Sequence, residues 1–439
     1  MQRRNLRSRK KPKSSKWKAL LWLALTVGAA VLIFIAAGPF IGGAGLERSL
    51  PEVEQEPEFS EPTGEDDPPE TAAKEEQTQT PQEMLREQAE SIVAAMTLDE
   101  KICQLFMVTP EQLTGVGQVT AAGDGTRQAL LEYPVGGLIY FRQNLQTPDQ
   151  TRDMLEKTMA FSEESGKFPL FLAVDEEGGS VTRIGGQEAF GETRFPDMAE
   201  IGANGDPQEA YEVGNTIGAY LSGYGFNMDF APDADVLTNP ENTVVANRSF
   251  GSDPQLVWQM ASQVATGLEE QGIWPVWKHF PGHGATAGDT HEGFAYTDQT
   301  LEELWEEELL PFRNAVEAGA DCVMAAHIAV PAVTGDDTPA SLSETMIDEI
   351  LRQKMGFEGV VVTDALNMGA IQDHYSSGEA AVKALKAGAD LLLMPSDFHK
   401  AKEAVAAAVE NGELSQERID QSVIRIGIMK LKRQQYEEK

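Results

Sequence analysis

Apolar positions between residues 85 and 439 are patterned on two length scales. Short, nearly continuous apolar runs recur as ICQLFMV (102–108), GGLIYF (136–141), PLFLAVD (169–175), GFNMDFAP (225–232), WPVWKHF (274–280), DCVMAAHI (321–328), GVVVTDA (359–365) and DLLLMP (390–395). Between them lie longer amphipathic stretches, such as PDQTRDMLEKTMAFSEES and DPQLVWQMASQVATGLEEQG, whose spacing predicts helices. Strands covered on both faces read as unbroken apolar runs. Asp206 and Asp253 each precede a proline, the pattern of an N-cap with proline at the first helical position. Gly319 and Gly388 fall where helix C-termini need a left-handed residue. Eight strand–helix units in order predict an α/β fold, a single (β/α)8 barrel of the TIM type. An open doubly wound sheet is the competing arrangement. The last helix is expected over 414–435, with no second domain after it.

A barrel of this kind places its chemistry at the C-terminal ends of its strands. The unusual polar residues fall there: Asp175 at the third run, Asp229 and Asp233 at the fourth, Lys278 and His279 at the fifth, His327 at the sixth and Asp364 at the seventh.

The front of the chain has a different pattern. Residues 19–46 carry no charged side chain, which at ~1.5 Å per residue is long enough to cross ~30 Å of hydrocarbon. Nine basic residues precede this stretch, and no acidic residue comes before Glu47. The positive-inside rule therefore predicts a single-pass cell-membrane anchor, with residues 1–18 as a cytoplasmic tail and the rest outside. A cleaved signal peptide has a shorter apolar core, ~7–15 residues. Trp17 and Trp22 suit the headgroup interface. Residues 47–84 are dominated by Pro, Glu, Gln and Thr, too polar to offset their ordering entropy, and read as a flexible acidic tether.

The formal net charge is −35, and setting aside the nine N-terminal positive charges leaves −44 for the remainder. Such an acidic body repels phosphate backbones, so nucleic acid is not an expected partner. The 2 cysteines, Cys103 and Cys322, sit in apolar runs and read as buried small hydrophobes.

Four motifs carry candidate chemistry. In VDEEGGSVTRI (174–184), Asp175 leaves a strand ahead of two glycines that permit a tight turn and close approach by a ligand. Its carboxylate can accept from two hydroxyls at once, and Arg183 can return toward it. KHFPGHGATAGDTH (278–291) holds three of the chain's 6 histidines, His279, His283 and His291, with Lys278 and Asp289. Asp289 and His291 are two apart, so in extended chain the carboxylate can fix an imidazole tautomer for acid–base work. The same residues would suit a zinc site, but no His-x-His ends the first strand. VVVTDALNMGAI (360–371) presents Asp364 at the end of an apolar, β-branched strand, where the plain alternative is a helix N-cap. In VVANRSFGSDP (244–254), Arg248 offers a guanidinium fork.

The ordered set VDEEGG-x-V-x-R, NRSF, KHFPGHG with DTH downstream, and TDALNM resembles the family 3 glycoside hydrolases in their β-N-acetylhexosaminidase branch, over most of 90–435. The resemblance implies a TIM barrel with Asp364 as nucleophile, His291 as general acid/base and Asp289 orienting it. It implies that Asp175, Arg183, Arg248, Lys278 and His279 contact N-acetylglucosamine. It implies no metal or organic cofactor. Two positions depart from the commoner pattern: Glu176 stands where glutamine is frequent, and Ala365 follows the nucleophile. The expected activity is retaining, exo-acting release of terminal β-linked N-acetylglucosamine, with cell-wall fragments (muropeptides) as the substrate a tethered extracytoplasmic domain would meet. A β-glucosidase-type member, a metal-dependent barrel hydrolase and an inactive sugar-binding protein are the alternatives.

Overall fold

The computed structural model describes residues 80–165, 167–286 and 295–437, with side chains to Lys432. The apolar segment 19–46 and the tether as far as residue 79 lie outside the described residues. Among the described residues, no helix is long and apolar enough to cross a membrane.

Eight short strands follow the eight apolar runs: β1 (Phe106–Val108), β2 (Gly137–Ile139), β3 (Phe171–Val174), β4 (Met228–Asp229), β5 (Trp274–Pro275 and Trp277–Phe280, either side of Val276), β6 (Cys322–Ala325), β7 (Val360–Thr363) and β8 (Leu392–Leu393). All pair in parallel. One sheet runs β8–β1–β2–β3–β4–β5, with Phe106 opposite Leu392, Leu138 opposite Leu172 and Val174 opposite Asp229. The second runs β7–β6–β5. Parallel bridges join the sheets at Asp233–Lys278 and Val362–Leu391, giving a TIM-barrel-like α/β fold. Both faces of these strands are buried, which is why they read as unbroken apolar runs in the sequence.

Helix termini follow the sequence signals. Asp206 caps Pro207–Tyr224 by accepting from Gln208 N, and Asp253 caps Pro254–Glu270 through Gln255 N. Gly388 closes Ser377–Ala387 at φ 111° and Gly319 stands at φ 90°. Both cysteines are free and buried.

The boundaries differ from expectation in three places. Residues 81–84, counted with the tether by composition, begin the helix Pro81–Ala94; Thr80 and Glu83 form a capping box, and Leu85, Ala89 and Val93 are buried against the C-terminal helix. In ICQLFMV, residues 102–104 end the helix Leu98–Gln104. A helix end buried on one side and a strand buried on both give the same unbroken apolar run. The run DCVMAAHI divides: Cys322–Ala325 stays in the barrel, whereas Ile328–Ala329 turns out to pair with Ala295–Tyr296.

Candidate active site

Between Trp277 and Phe280 the register of β5 against β6 shifts, and this irregular stretch carries Lys278 and His279. The loop after β3 supplies Asp175, Glu176, Glu177 and Arg183, and that after β4 supplies Asp233, Asp235 and Arg248. These elements meet at the C-terminal rim, as a barrel requires. Asp175 accepts from Arg183 Nη2 at 3.2 Å and from Lys278 Nζ at 3.1 Å. Lys278 also lies 2.5 Å from Glu177 Oε1. Arg248 forks onto Glu177 through Nε (2.8 Å) and Nη2 (2.6 Å), and Nη2 lies 3.1 Å from His279 Nε2. His279 Nδ1 lies 2.6 Å from Asp235 Oδ2. Because guanidinium is only a donor, His279 Nε2 accepts from Arg248 and Nδ1–H donates to Asp235. Asp175, Lys278, Glu177, Arg248, His279 and Asp235 thus form one continuous chain of alternating charge and hydrogen bonds.

The charges in this chain hold one another in place. Burial alone would raise the Glu177 carboxyl, but Arg248 and Lys278 outweigh it and hold it well below the usual range. Burial likewise opposes the charges on Arg248 and Lys278, and the carboxylates around them push both upward instead. Asp233 and Asp229 behave oppositely: burial raises both carboxyls well above the ordinary range. Burial lowers His283.

Asp364 sits at the end of β7 with its N–H on Ala325 O (2.8 Å), and Oδ1 accepts from Ala365 N (2.7 Å). It does not cap a helix; the next one, Gly369–Gln372, begins after Met368. Among the described residues its Oδ2 has no hydrogen bond. Burial pushes this carboxyl up, but the His327 and His279 rings, the Ala365 amide and the Lys278 ammonium more than offset that and keep it lowered. His327 braces the same peptide: Nε2 donates to Ala365 O at 3.0 Å while Nδ1 lies 2.8 Å from Ser341 Oγ.

The five residues expected to grip a sugar are therefore brought together: Asp175, Arg183, Arg248, Lys278 and His279. Asp289 and His291 lie outside the described residues. Glu177 and Asp235 were missed by sequence reading, although each stands two residues beyond a singled-out carboxylate and so on the same side of an extended chain. Glu176 also takes on a role. Its buried carboxylate accepts from Arg183 N (2.5 Å), Ile184 N (2.9 Å), Gly185 N (2.7 Å), Tyr220 OH (2.8 Å) and the Thr182 hydroxyl. The departure at 176 therefore bears on the loop that presents Arg183.

Donor atoms of Asp233, Asp235 and His279 lie within 4.8 Å of one another, the spacing of a potential metal site. The set does not fit an ion. Both Asp235 oxygens and His279 Nδ1 are already used, Asp235 Oδ1 by His283 N at 2.6 Å, and the Arg248 and Lys278 cations stand beside them. A cavity among Leu155, Met159, Leu170, Tyr224 and Trp274 lies at the opposite, N-terminal ends of β3 to β5, away from this chemistry.

Parallel strands ringed by helices, with an ionised carboxylate and a caged set of polar groups on the C-terminal rim, define a TIM-barrel-like α/β protein. The chain belongs to glycosyl hydrolase family 3: residues 97–429 match the model of the Glycosyl hydrolase family 3 N terminal domain. It is 33% identical to Beta-hexosaminidase A of Pseudoalteromonas piscicida over 329 residues, 70% of this chain and 54% of that protein. It is 38% identical to Beta-hexosaminidase LpqI of Mycobacterium tuberculosis over 277 residues, 60% of this chain and 69% of that one. A solved glycoside hydrolase family 3 beta-N-acetylglucosaminidase from a Paenibacillus species superposes with a TM-score of 0.73 at 41% identity, covering 77% of this chain and 63% of that chain. The chain thus spans about half the length of the Pseudoalteromonas relative.

Proposed function

We propose that this protein is a retaining, exo-acting β-N-acetylglucosaminidase. The observation that carries the reading is the rim itself: an ionised Asp364 with one oxygen open, on a rim shared with the cage in which Lys278, Arg248 and Arg183 are held by carboxylates. The names of the relatives, Beta-hexosaminidase and beta-N-acetylglucosaminidase, support the same substrate class.

In this reading a sugar hydroxyl pair sits on Asp175 and Arg183, while Arg248, Lys278 and His279 present donors to the remaining oxygens and the acetamido group. Asp364 attacks the anomeric carbon and the glycosidic C–O bond breaks, leaving a glycosyl ester on the carboxylate. His291, oriented by Asp289, gives its proton to the departing oxygen and then takes one from the incoming water, which releases the sugar with β configuration. An imidazole as the second group avoids two carboxylates facing each other, which would raise one pKa. None of these steps requires a metal.

The apolar segment 19–46 and the acidic tether would hold the catalytic domain outside a membrane, within reach of cell-wall glycan. We therefore assign peptidoglycan fragments with a terminal N-acetylglucosamine as the substrate. Hydrolysis of a nitrophenyl N-acetyl-β-glucosaminide beside the matching β-glucoside tests the reading. Turnover of the first and not the second is expected; turnover of the glucoside alone would overturn it.

A further inference from the structure

The loop after β4 and the root of the loop after β5 are joined through one buried side chain, Asn242. Its Oδ1 accepts from Val244 N (2.9 Å) and Val245 N (3.1 Å). That closes the turn leading into Arg248, whose own N–H donates to Val245 O at 3.0 Å. Its Nδ2 faces the other way, 2.8 Å from His283 O, 3.3 Å from Thr286 Oγ1 and 3.4 Å from Thr286 O. The two ends are not interchangeable: two N–H donors meet the oxygen and three oxygens meet the nitrogen.

The surroundings tighten the same joint. Asn239 donates through N to Gly284 O (3.1 Å) and through Nδ2 to Thr286 O (2.9 Å). Asp235, already bonded to His279, takes His283 N–H. Thr286 Oγ1 donates to His283 O at 2.9 Å. Gly284 leaves no room for a side chain, since a Cβ there would stand 1.8 Å from Val236 O. Segment 283–286 is thereby fixed to the loop that carries Arg248, and Thr286 directly precedes the stretch of sequence containing Asp289 and His291.

We propose that Asn242 is a positioning residue for the reaction. It sets the root of the acid–base segment in register with the Arg248 side of the sugar cage, so that a sugar gripped by Arg248 has its glycosidic oxygen where the proton is delivered. Asn242 touches no substrate; it acts through Arg248 on one side and His283 and Thr286 on the other. The proposal rests on His291 being the general acid/base.

Asn242→Asp separates the two sides. The carboxylate keeps the acceptor for Val244 and Val245 but sets an oxygen against the carbonyls of His283 and Thr286. Asn242→Ala loses both sides, and Thr286→Val removes only the hydroxyl bonds if the first two fold poorly. Each is compared with the wild type and His291→Ala on a dinitrophenyl N-acetyl-β-glucosaminide, whose leaving group needs little protonation, and on the β-linked N-acetylglucosamine disaccharide, whose leaving group needs much. Inhibition by free N-acetylglucosamine reports the cage. We expect Asn242→Asp to lose at least ~10-fold in kcat on the disaccharide, a fraction of the ~10²–10⁴-fold that general acid catalysis contributes. The loss on the activated glycoside should be much smaller, with inhibition by the free sugar within about twofold. Asn242→Ala should weaken that inhibition as well, and Thr286→Val should show a smaller leaving-group split in the same direction. Equal losses on both substrates, or a loss confined to sugar binding, would overturn the proposal. If His291→Ala shows no split, the acid–base reading of His291 fails and the proposal falls with it; a split in His291→Ala without one in Asn242→Asp overturns the proposal alone.

Discussion

Asp364 gains its standing from the groups around it. Desolvation alone would favour the neutral acid, yet the His327 and His279 rings, the Ala365 amide and the Lys278 ammonium keep the carboxylate charged. Because the shift is downward, the ionised nucleophile persists below the ordinary aspartate value of ~3.9. The acid limb of kcat/KM should therefore lie under pH ~4, and the alkaline fall should follow loss of the His291 proton. An acid limb well above the ordinary carboxylate range would contradict the assignment. Asp364→Ala should reduce kcat by at least ~10⁴-fold on any aryl N-acetyl-β-glucosaminide, as removal of other enzymatic nucleophiles does, with the fold intact by circular dichroism. Asp175, Lys278, His279 and Asp364 were legible because they end apolar runs, where a charge has no packing role. Glu177 and Asp235 were not legible: their partners come from β5 and from loops over thirty residues away in sequence, and only the closed ring brings these together.

The informative element is the loop after β3. Gly178 and Gly179, at φ 87° and 58°, turn the chain, and buried Glu176 then gathers the amides of residues 183–185 into one carboxylate. The glycine pair announces the turn in the sequence. The role of Glu176 is hidden, because it depends on Tyr220 from the helix Pro207–Tyr224 and on a loop folding back across it. Glu176→Ala should free the Arg183 loop and raise KM for an aryl N-acetyl-β-glucosaminide by roughly tenfold, about 1.4 kcal/mol of binding, with a lesser change in kcat. Unchanged KM would show that Arg183 is placed by other contacts. Where the sequence reading missed by a few residues, an exposed helix turn at 81–84 had the composition of a linker, and a buried one at 102–104 had that of a strand.

At the scale of the molecule, the two ends of the barrel divide the work. The C-terminal rim holds the chemistry, while under the opposite end buried Asp390 pins β8 and β7 to the outer helices. It accepts from Arg352 Nη2 (2.5 Å), Ser422 Oγ (2.5 Å), Arg425 Nη1 (3.1 Å) and Val361 N (3.0 Å). Burial raises this carboxyl, and Arg352, Arg425 and Arg418 outweigh it and lower it. A carboxyl lowered in the fold contributes stability that is fully present above its unfolded value, ~3.9, and is lost as pH falls through the folded value. Asp390→Asn, leaving three guanidinium groups unpaired in charge, should cost ~3–5 kcal/mol in urea unfolding and remove part of the acid sensitivity, while turnover per folded molecule stays intact. An unchanged urea midpoint would mean the arginines are satisfied by carbonyls alone. The eight-unit alternation made the ring legible in advance; its closure through single bridges at Asp233–Lys278 and Val362–Leu391 was not, since isolated bridges leave no periodic trace. The claim on which the rest depends is that Asp364 becomes glycosylated. Trapping with a 5-fluoro N-acetyl-β-glucosaminyl fluoride, followed by peptide mass spectrometry, tests it directly. The account predicts one sugar adduct on the peptide carrying Asp364, absent in Asp364→Ala; an adduct on another carboxylate, or turnover of the reagent with no adduct formed, would contradict it.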